Sequence, residues 1–296
     1  MKLQTAPYRL LTIPLLFVLM TAGDGASAQS ISSSAHATRE IGRTTEKEVN
    51  IVLTSAFGSV TITRGEAGKI LIAEPSPDAD TRAISITYSV RNRVGYLEIA
   101  LGEESDGKGS SGNWNVQRGT WNLEFCDAIP LSFDIELGLG NGNFDLSGLQ
   151  VKDFTLSSGA SDVAMNFDEK NSALIERMSI ESGVSKFDGR NLGNANFRRF
   201  RFSGGVGTYY LDFGGNLTRE ADIDIDVGLG VLTMIVPNRV GARLLYEKSW
   251  VSRLDCDKGF RPISDVEYMT DNYNDTDGRV NIRIESGLGS VRVIRE

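Results

Sequence analysis

Apolar and polar positions alternate along most of this chain, and glycine-rich corners interrupt the alternation at near-regular intervals. The first copy of the pattern runs Ile51-x-Leu53-x-Ser55-Ala56-Phe57-Gly58-Ser59-Val60-x-Ile62, and the last runs Ile282-x-Ile284-x-Ser286-Gly287-Leu288-Gly289-Ser290-Val291-x-Val293. Between them the two leading apolar positions are Phe133/Ile135, Phe154/Leu156, Met178/Ile180, Phe200/Phe202 and Ile223/Ile225. Their corners are Gly138-Leu139-Gly140, Gly159-Ala160-Ser161, Gly183-Val184-Ser185, Gly205-Val206-Gly207 and Gly228-Leu229-Gly230. Corner-to-corner steps across the central five copies are 21, 24, 22 and 23 residues, an interval that suits coiled strands and is too short for independent domains.

Residues two apart on a strand share a face, so Phe154 and Leu156 look one way while Thr155 and Ser157 look the other. No unit of this size buries its apolar face alone, whereas copies stacked about 4.8 Å apart build continuous columns of Phe, Ile, Leu and Val. The pattern predicts an all-β chain, a β-solenoid-like stack of repeated 21–24-residue units, each a strand, a Gly corner and a second strand. A sandwich of ordinary hairpins is the competing reading, but it does not require the apolar positions to recur at fixed offsets before every corner. Outside the export signal the alternation leaves no helix.

Residues 1–28 combine a basic start at Lys2 and Arg9, an apolar stretch from Leu10 to Ala22, and Ala26-Ser27-Ala28 before Gln29. That is the form of a secretory signal peptide cut after Ala28, and no integral membrane segment is expected after cleavage. Residues 29–48 are small and polar and read as a flexible leader. Residues 49–296 read as one stacked domain, with a flexible loop at 102–113 and an insertion at 237–280. Long insertions on a repeat scaffold are where binding surfaces commonly lie.

The chain carries 31 Lys and Arg against 39 Asp and Glu, and removal of the signal takes Lys2, Arg9 and Asp24 with it, leaving a mature net charge near −9. An acidic chain without a basic stripe excludes nucleic-acid binding as the main role. Arg198, Arg199 and Arg201 form the densest basic spot and read as a solvated strand face. Cys126 and Cys256 are an even pair in an oxidising compartment, so a disulfide is one reading. Several repeats lie between them, and stacking holds them beyond bonding reach unless a loop doubles back, so free thiols are the other.

The single histidine, His36, sits in the polar leader, which removes His-based nucleophilic catalysis and His metal sites from consideration. Asp222, Asp224 and Asp226 alternate with Ile223, Ile225 and Val227, so three carboxylates share one strand face at spacings of about 6.8 Å. They are weak candidates for a divalent cation or for carboxylate-based glycan cleavage, and a solvated outer face is the competing account. Asp275-Thr276-Asp277-Gly278 resembles part of a calcium loop, lacks the EF-hand spacing and closing Glu, and reads as a turn. Trp114 and Trp121, with Asn113, Asn115 and Asn122, are an aromatic sugar platform in one reading, although Trp121 alternates with Leu123 and Phe125 as a strand residue would. No cofactor is expected.

Trp121-Asn-Leu-Glu-Phe125, Ile129-Pro130-Leu131, Phe133 through Gly140, Phe144-Asp-Leu-Ser-Gly-Leu149 and Leu156-x-Ser-Gly-Ala160 together resemble the toast-rack domain family of bacterial envelope proteins. The close, Tyr273-Asn274 followed by Val280 through Val291, is similar to the end of that family and of its LiaF-type and adhesin-like relatives. The resemblance implies an all-β stacked domain, exported or membrane-associated, with no catalytic residues to carry over. LiaF-type members add membrane helices and take part in sensing cell-wall stress, whereas this chain has only a removable signal.

These readings converge on a non-enzymatic exported cell-envelope β-repeat protein, an adhesin-like binding or scaffold module for an envelope protein or glycan. The alternatives are a periplasmic accessory of an envelope stress-sensing complex and a carboxylate-based polysaccharide lyase or hydrolase. Unpaired strand edges at the two ends of the stack would permit homo-oligomerisation there.

Overall fold

The computed structural model describes residues 38–77, 79, 84–102, 119–247 and 251–296. The signal peptide, His36, Trp114, Trp250 and all but one residue of the expected 102–113 loop lie outside them. All seven copies of the repeat are long strands, and they are neighbours in one parallel run: β2 (Glu48–Arg64), β7 (Pro130–Asp145), β8 (Gln150–Asn166), β9 (Ile175–Arg190), β10 (Phe197–Asp212), β11 (Glu220–Val236) and β16 (Arg279–Arg295). The pairing holds equivalent positions side by side, as in Phe133↔Phe154, Phe154↔Met178, Phe202↔Ile225 and Ile225↔Ile284.

Each long strand bends at its glycine corner into two arms. In β2, Ile51 and Leu53 are buried before the corner and Val60 and Ile62 after it. The inward positions thus change from odd to even numbers, because the corner takes up an additional residue. The two arms then face each other across a shared core. Phe202 on the first arm of β10 meets Tyr209 on its second arm at 5.1 Å between ring centroids, and Phe187 on the second arm of β9 at 5.3 Å. Turns at the other end return the chain to the next first arm. Their buried backbone is satisfied by asparagines: Asn171 Nδ2 donates to the Val151 and Ala195 carbonyls at 2.7 and 3.0 Å, and Asn194 Nδ2 to the Phe167 carbonyl at 2.8 Å.

Glycine follows five of the seven tips. Gly140 and Gly230 have φ of +146° and +147°, and a Cβ on Gly230 would lie 1.9 Å from the Gly207 carbonyl oxygen. Where serine replaces it, at Ser161 and Ser185, the β8–β9 ladder opens, jumping from Ser158↔Ser182 to Val163↔Phe187. The Ser161 hydroxyl there is buried without a hydrogen-bond partner.

The two large departures from the repeat are end caps. Residues 65–129 leave between β2 and β7, which pair directly. They place β5 (Val94–Leu101) on the first arm of β2, with β4 (Ile84–Arg91) outside it. On the second arm they place β6 (Thr120–Phe125), followed by β3 (Lys69–Pro75). The 237–280 segment does the same beyond β16: β12 (Gly241–Glu247) pairs its first arm and β13 (Ser252–Cys256) its second. β14 (Phe260–Pro262) and β15 (Glu267–Thr270) continue outward from β12. That segment is thus built into the sheet rather than looped out from it, and the chain's own strands cover both ends of the stack.

Two expectations need correction. The leader read as 29–48 contributes β1 (Arg39–Gly42), an edge strand on β3 whose Ile41 packs against the core, because Arg39-Glu-Ile-Gly carries a short alternation of its own. The disulfide does not form. Cys126 follows β6, Cys256 ends β13, and eight strand-to-strand steps of about 4.8 Å separate them by about 38 Å. Both thiols are free; Cys126 Sγ–H donates to the Ala67 carbonyl at 3.3 Å.

Phe202→Ala should cost about 3 to 5 kcal/mol in urea unfolding, since the ring is fully enclosed between the arms. Ser161→Gly should stabilise by about 1 kcal/mol by removing an unpaired hydroxyl, whereas Gly230→Ala should lower the melting temperature sharply. Thiol titration without reductant should find two thiols in denatured protein. In native protein at pH 8 both should react slowly: Cys126 is buried, and burial beside Asp257 and Asp255 pushes the Cys256 pKa up to about 12.

Candidate functional site

Asp222, Asp224 and Asp226 point outward from the first arm of β11, where the alternation leaves them exposed. Parallel pairing brings Arg199 and Arg201 of β10 opposite Asp222 and Asp224, and Asn281, Arg283 and Glu285 of β16 opposite all three from the other side. The acidic row and the basic spot, 23 residues apart in sequence, are therefore one surface. The Asn281 amide donates to Glu220 at 3.1 Å and to Asp222 at 3.2 Å, and its Oδ1 accepts from the Tyr273 hydroxyl at 2.6 Å. Arg283 bridges Glu247 and Glu285, each at 2.7 Å. Its pKa is raised, first by the hydrogen bond to Glu247 and then by the charges of Glu247, Glu285 and Asp224.

The cap turns this face into a concavity. Arg243 and Leu245 extend it onto β12, Glu267 of β15 pairs with Arg243 at 2.6 Å, and Tyr273 in the following turn closes the wall. The hollow has a volume of about 500 Å³, and a second of about 340 Å³ adjoins it around Arg201, Asp224, Asp226 and Glu285. Donors and acceptors alternate across the floor, with Leu245 and the Tyr273 ring as apolar elements. Such a lining suits a polyhydroxylated or polar peptide ligand that accepts and donates hydrogen bonds at close intervals.

Asp224 lies between Arg201 and Arg283 on its two neighbouring strands, whereas Asp222 lies between Arg199 and Asn281 and Asp226 between Ser203 and Glu285, and all three are exposed. Among the described residues no group of three or more His, Cys, Asp or Glu is placed to hold a metal ion. Asp275-Thr276-Asp277-Gly278 is a turn, with Thr276 Oγ1 within hydrogen-bond distance of the Asn272 and Gly278 carbonyls at 3.3 and 3.0 Å. Trp121 is buried in β6 and takes no part in a sugar platform; Trp114, Asn113 and Asn115 lie outside the described residues.

The corner glycines Gly138, Gly159, Gly183, Gly205, Gly228 and Gly287 form a column directly before the tips, and Gly140, Gly230 and Gly289 a second one after them. The tips themselves escaped the sequence reading. Phe57, Leu139, Ala160, Val184, Val206, Leu229 and Leu288 stand in register along the bend, the larger six of them 40% to 64% exposed. The signal was present as the invariably apolar middle residue of each Gly-x-Gly or Gly-x-Ser corner.

The family model for the N-terminal domain of toast-rack, DUF2154, matches residues 29–188, more than half of the chain. The chain belongs to the toast-rack family. The matched stretch contains the first cap and copies one to four, while the concavity lies on the remainder of this toast-rack chain. Among solved structures, a candidate cell adhesion protein of Clostridium sporogenes ATCC 15579 is 17% identical, with 92% of this chain and 100% of that one covered at a TM-score of 0.41. A candidate adhesin of Bacteroides fragilis NCTC 9343 is 14% identical, with 89% and 98% covered at 0.37. A third, from Parabacteroides merdae ATCC 43184, is 10% identical, with 87% and 95% covered at 0.30. Overlaps this loose carry no functional argument. No curated protein matches the chain. Among the described residues no helix is long and apolar enough to cross a membrane.

Proposed function

We propose that this toast-rack chain is a non-enzymatic, exported envelope module, adhesin-like in role, that binds a glycan or protein of the envelope through the concavity between β10, β11, β16 and the 237–280 cap. The observation that carries the reading is convergence: the aspartate row, the arginine row and the cap, each singled out separately in the sequence, meet in one hollow of about 500 Å³. The signal-peptide form of residues 1–28 and family membership support export.

Deleting the cap is not a usable test, because Ala242, Leu244 and Tyr246 of β12 are buried and cover β16. The charge-neutral pair Asp224→Ala with Arg283→Ala removes ligand contacts from the exposed face instead. Exposed ion pairs contribute about 0 to 1 kcal/mol, so the melting temperature should hardly move. The purified protein should co-sediment with isolated envelope fractions without shortening their polysaccharides, and the double variant should bind about tenfold more weakly. Shortened glycan would establish an enzyme, and undiminished binding by the variant would move the site elsewhere.

A further inference from the structure

The bends carry a surface that the concavity does not use. Seven apolar tips in register span about 29 Å along the stack, and soluble proteins seldom leave so continuous an apolar row uncovered. The residues just before the tips, Ala56, Gly138, Gly159, Gly183 and Gly205, line a trough of about 630 Å³. No long side chain rises from that floor, so a ligand can lie against it. Its bank on the first-arm side carries Glu136 of β7 and Glu181 of β9, both exposed. They occupy equivalent positions two strands apart, hence about 9.6 Å.

We propose that this trough binds a cationic polyproline II segment of another protein. A basic residue at every third position would lie on Glu136 and Glu181, and its apolar neighbour would pack against the tips Leu139, Val184 and Val206. A polyproline II helix rises about 3.1 Å per residue with three residues per turn, so one edge repeats every ~9.3 Å, close to the spacing of the carboxylates. An extended strand repeats a face every ~6.8 Å and an α-helix turns every ~5.4 Å, and neither keeps step with them. Five strands border the trough, so its length of about 19 Å holds about six residues of the segment. Such a segment is extended before binding and has little conformational freedom to lose.

The charge pattern selects this occupant over the others. A second mature copy would bring its own glutamates and a net charge near −9 against the same bank, and an anionic lipid surface is repelled for the same reason. A glycan would find no aromatic platform among the lining residues.

The test is fluorescence anisotropy with a labelled peptide of three Lys-Leu-Pro repeats, compared with a scrambled peptide of the same composition. The periodic peptide should bind about tenfold more tightly. Glu136→Gln with Glu181→Gln should remove most of that binding at low salt, and Val184→Ser with Val206→Ser should remove it at low and high salt. Melting temperatures should stay unchanged, since all four side chains are exposed. Equal binding of the two peptides, or binding indifferent to both double variants, overturns the proposal. A self-associated protein that Val184→Ser dissociates overturns it also, by assigning the ridge to a second copy. The four residues varied here line neither hollow of the concavity, and Asp224 and Arg283 do not line the trough, so this test and that of the concavity fail independently.

Discussion

Seven parallel backbones must turn the same corner while staying about 4.8 Å apart, and the rest of the molecule follows from that constraint. Where glycine follows the tip, nothing stands between the bend and the carbonyl of the neighbouring strand. At Gly140 an added Cβ would lie 1.7 Å from the Gly58 oxygen, and at Gly289 it would lie 1.8 Å from that of Gly230. Main-chain contact therefore fixes the bend, and each additional copy inherits its position from the one before. Once it is fixed, every alternate side chain on both arms points into a common interior, and the residue at the vertex has nowhere to point but outward. Between β8 and β9, where serine stands on both strands in place of that glycine, the ladder opens at the corner.

A parallel stack with two arms has open edges at both ends, which is where such a design would aggregate. The chain lays its own excursions over both ends. Residues 65–129 supply separate covering strands for the two arms of β2, and the 237–280 segment does so for β16. In each case the flanking long strands still pair directly, so the repeat continues beneath the excursion as though it were absent. What looks like an insertion in the sequence is thus a cap in space, and the cap happens to wall the charged face.

The core was legible because strand alternation leaves a mark that survives without tertiary information: Phe154, Ile180, Phe202 and Ile225 are all enclosed where the pattern puts them. Position along the stack was legible only in part. Copies adjacent in sequence are adjacent in space, so Asp224 beside Arg201 could have been read from the repeat offset, but the arrival of Arg283 depended on β16 pairing directly with β11 across the cap. Cys126 and Cys256 mislead for the same reason, since compartment chemistry speaks for a bond that eight strand steps forbid. The asparagines of the return turns left no signal at all. A buried Asn171 and an exposed one look alike until the turn backbone they satisfy is placed.

In-register stacking also disciplines the outer surface. Identical charges in one column sit about 4.8 Å apart and repel; Arg201, Asp224 and Arg283 alternate, whereas Arg177 beside Arg199 and Asp226 beside Glu285 do not. Yet each exposed pair is worth at most about 1 kcal/mol, a small matter beside a core of enclosed aromatic rings. Avoiding repulsion needs only serine and threonine, which the neighbouring strands supply at Ser132, Thr155, Ser157 and Ser179. The mixed-charge face on the three strands beside a tyrosine-bearing wall is therefore more than the scaffold requires. The interior holds the backbone in place whatever the outer columns carry, and that independence is what lets such a face be specified for recognition.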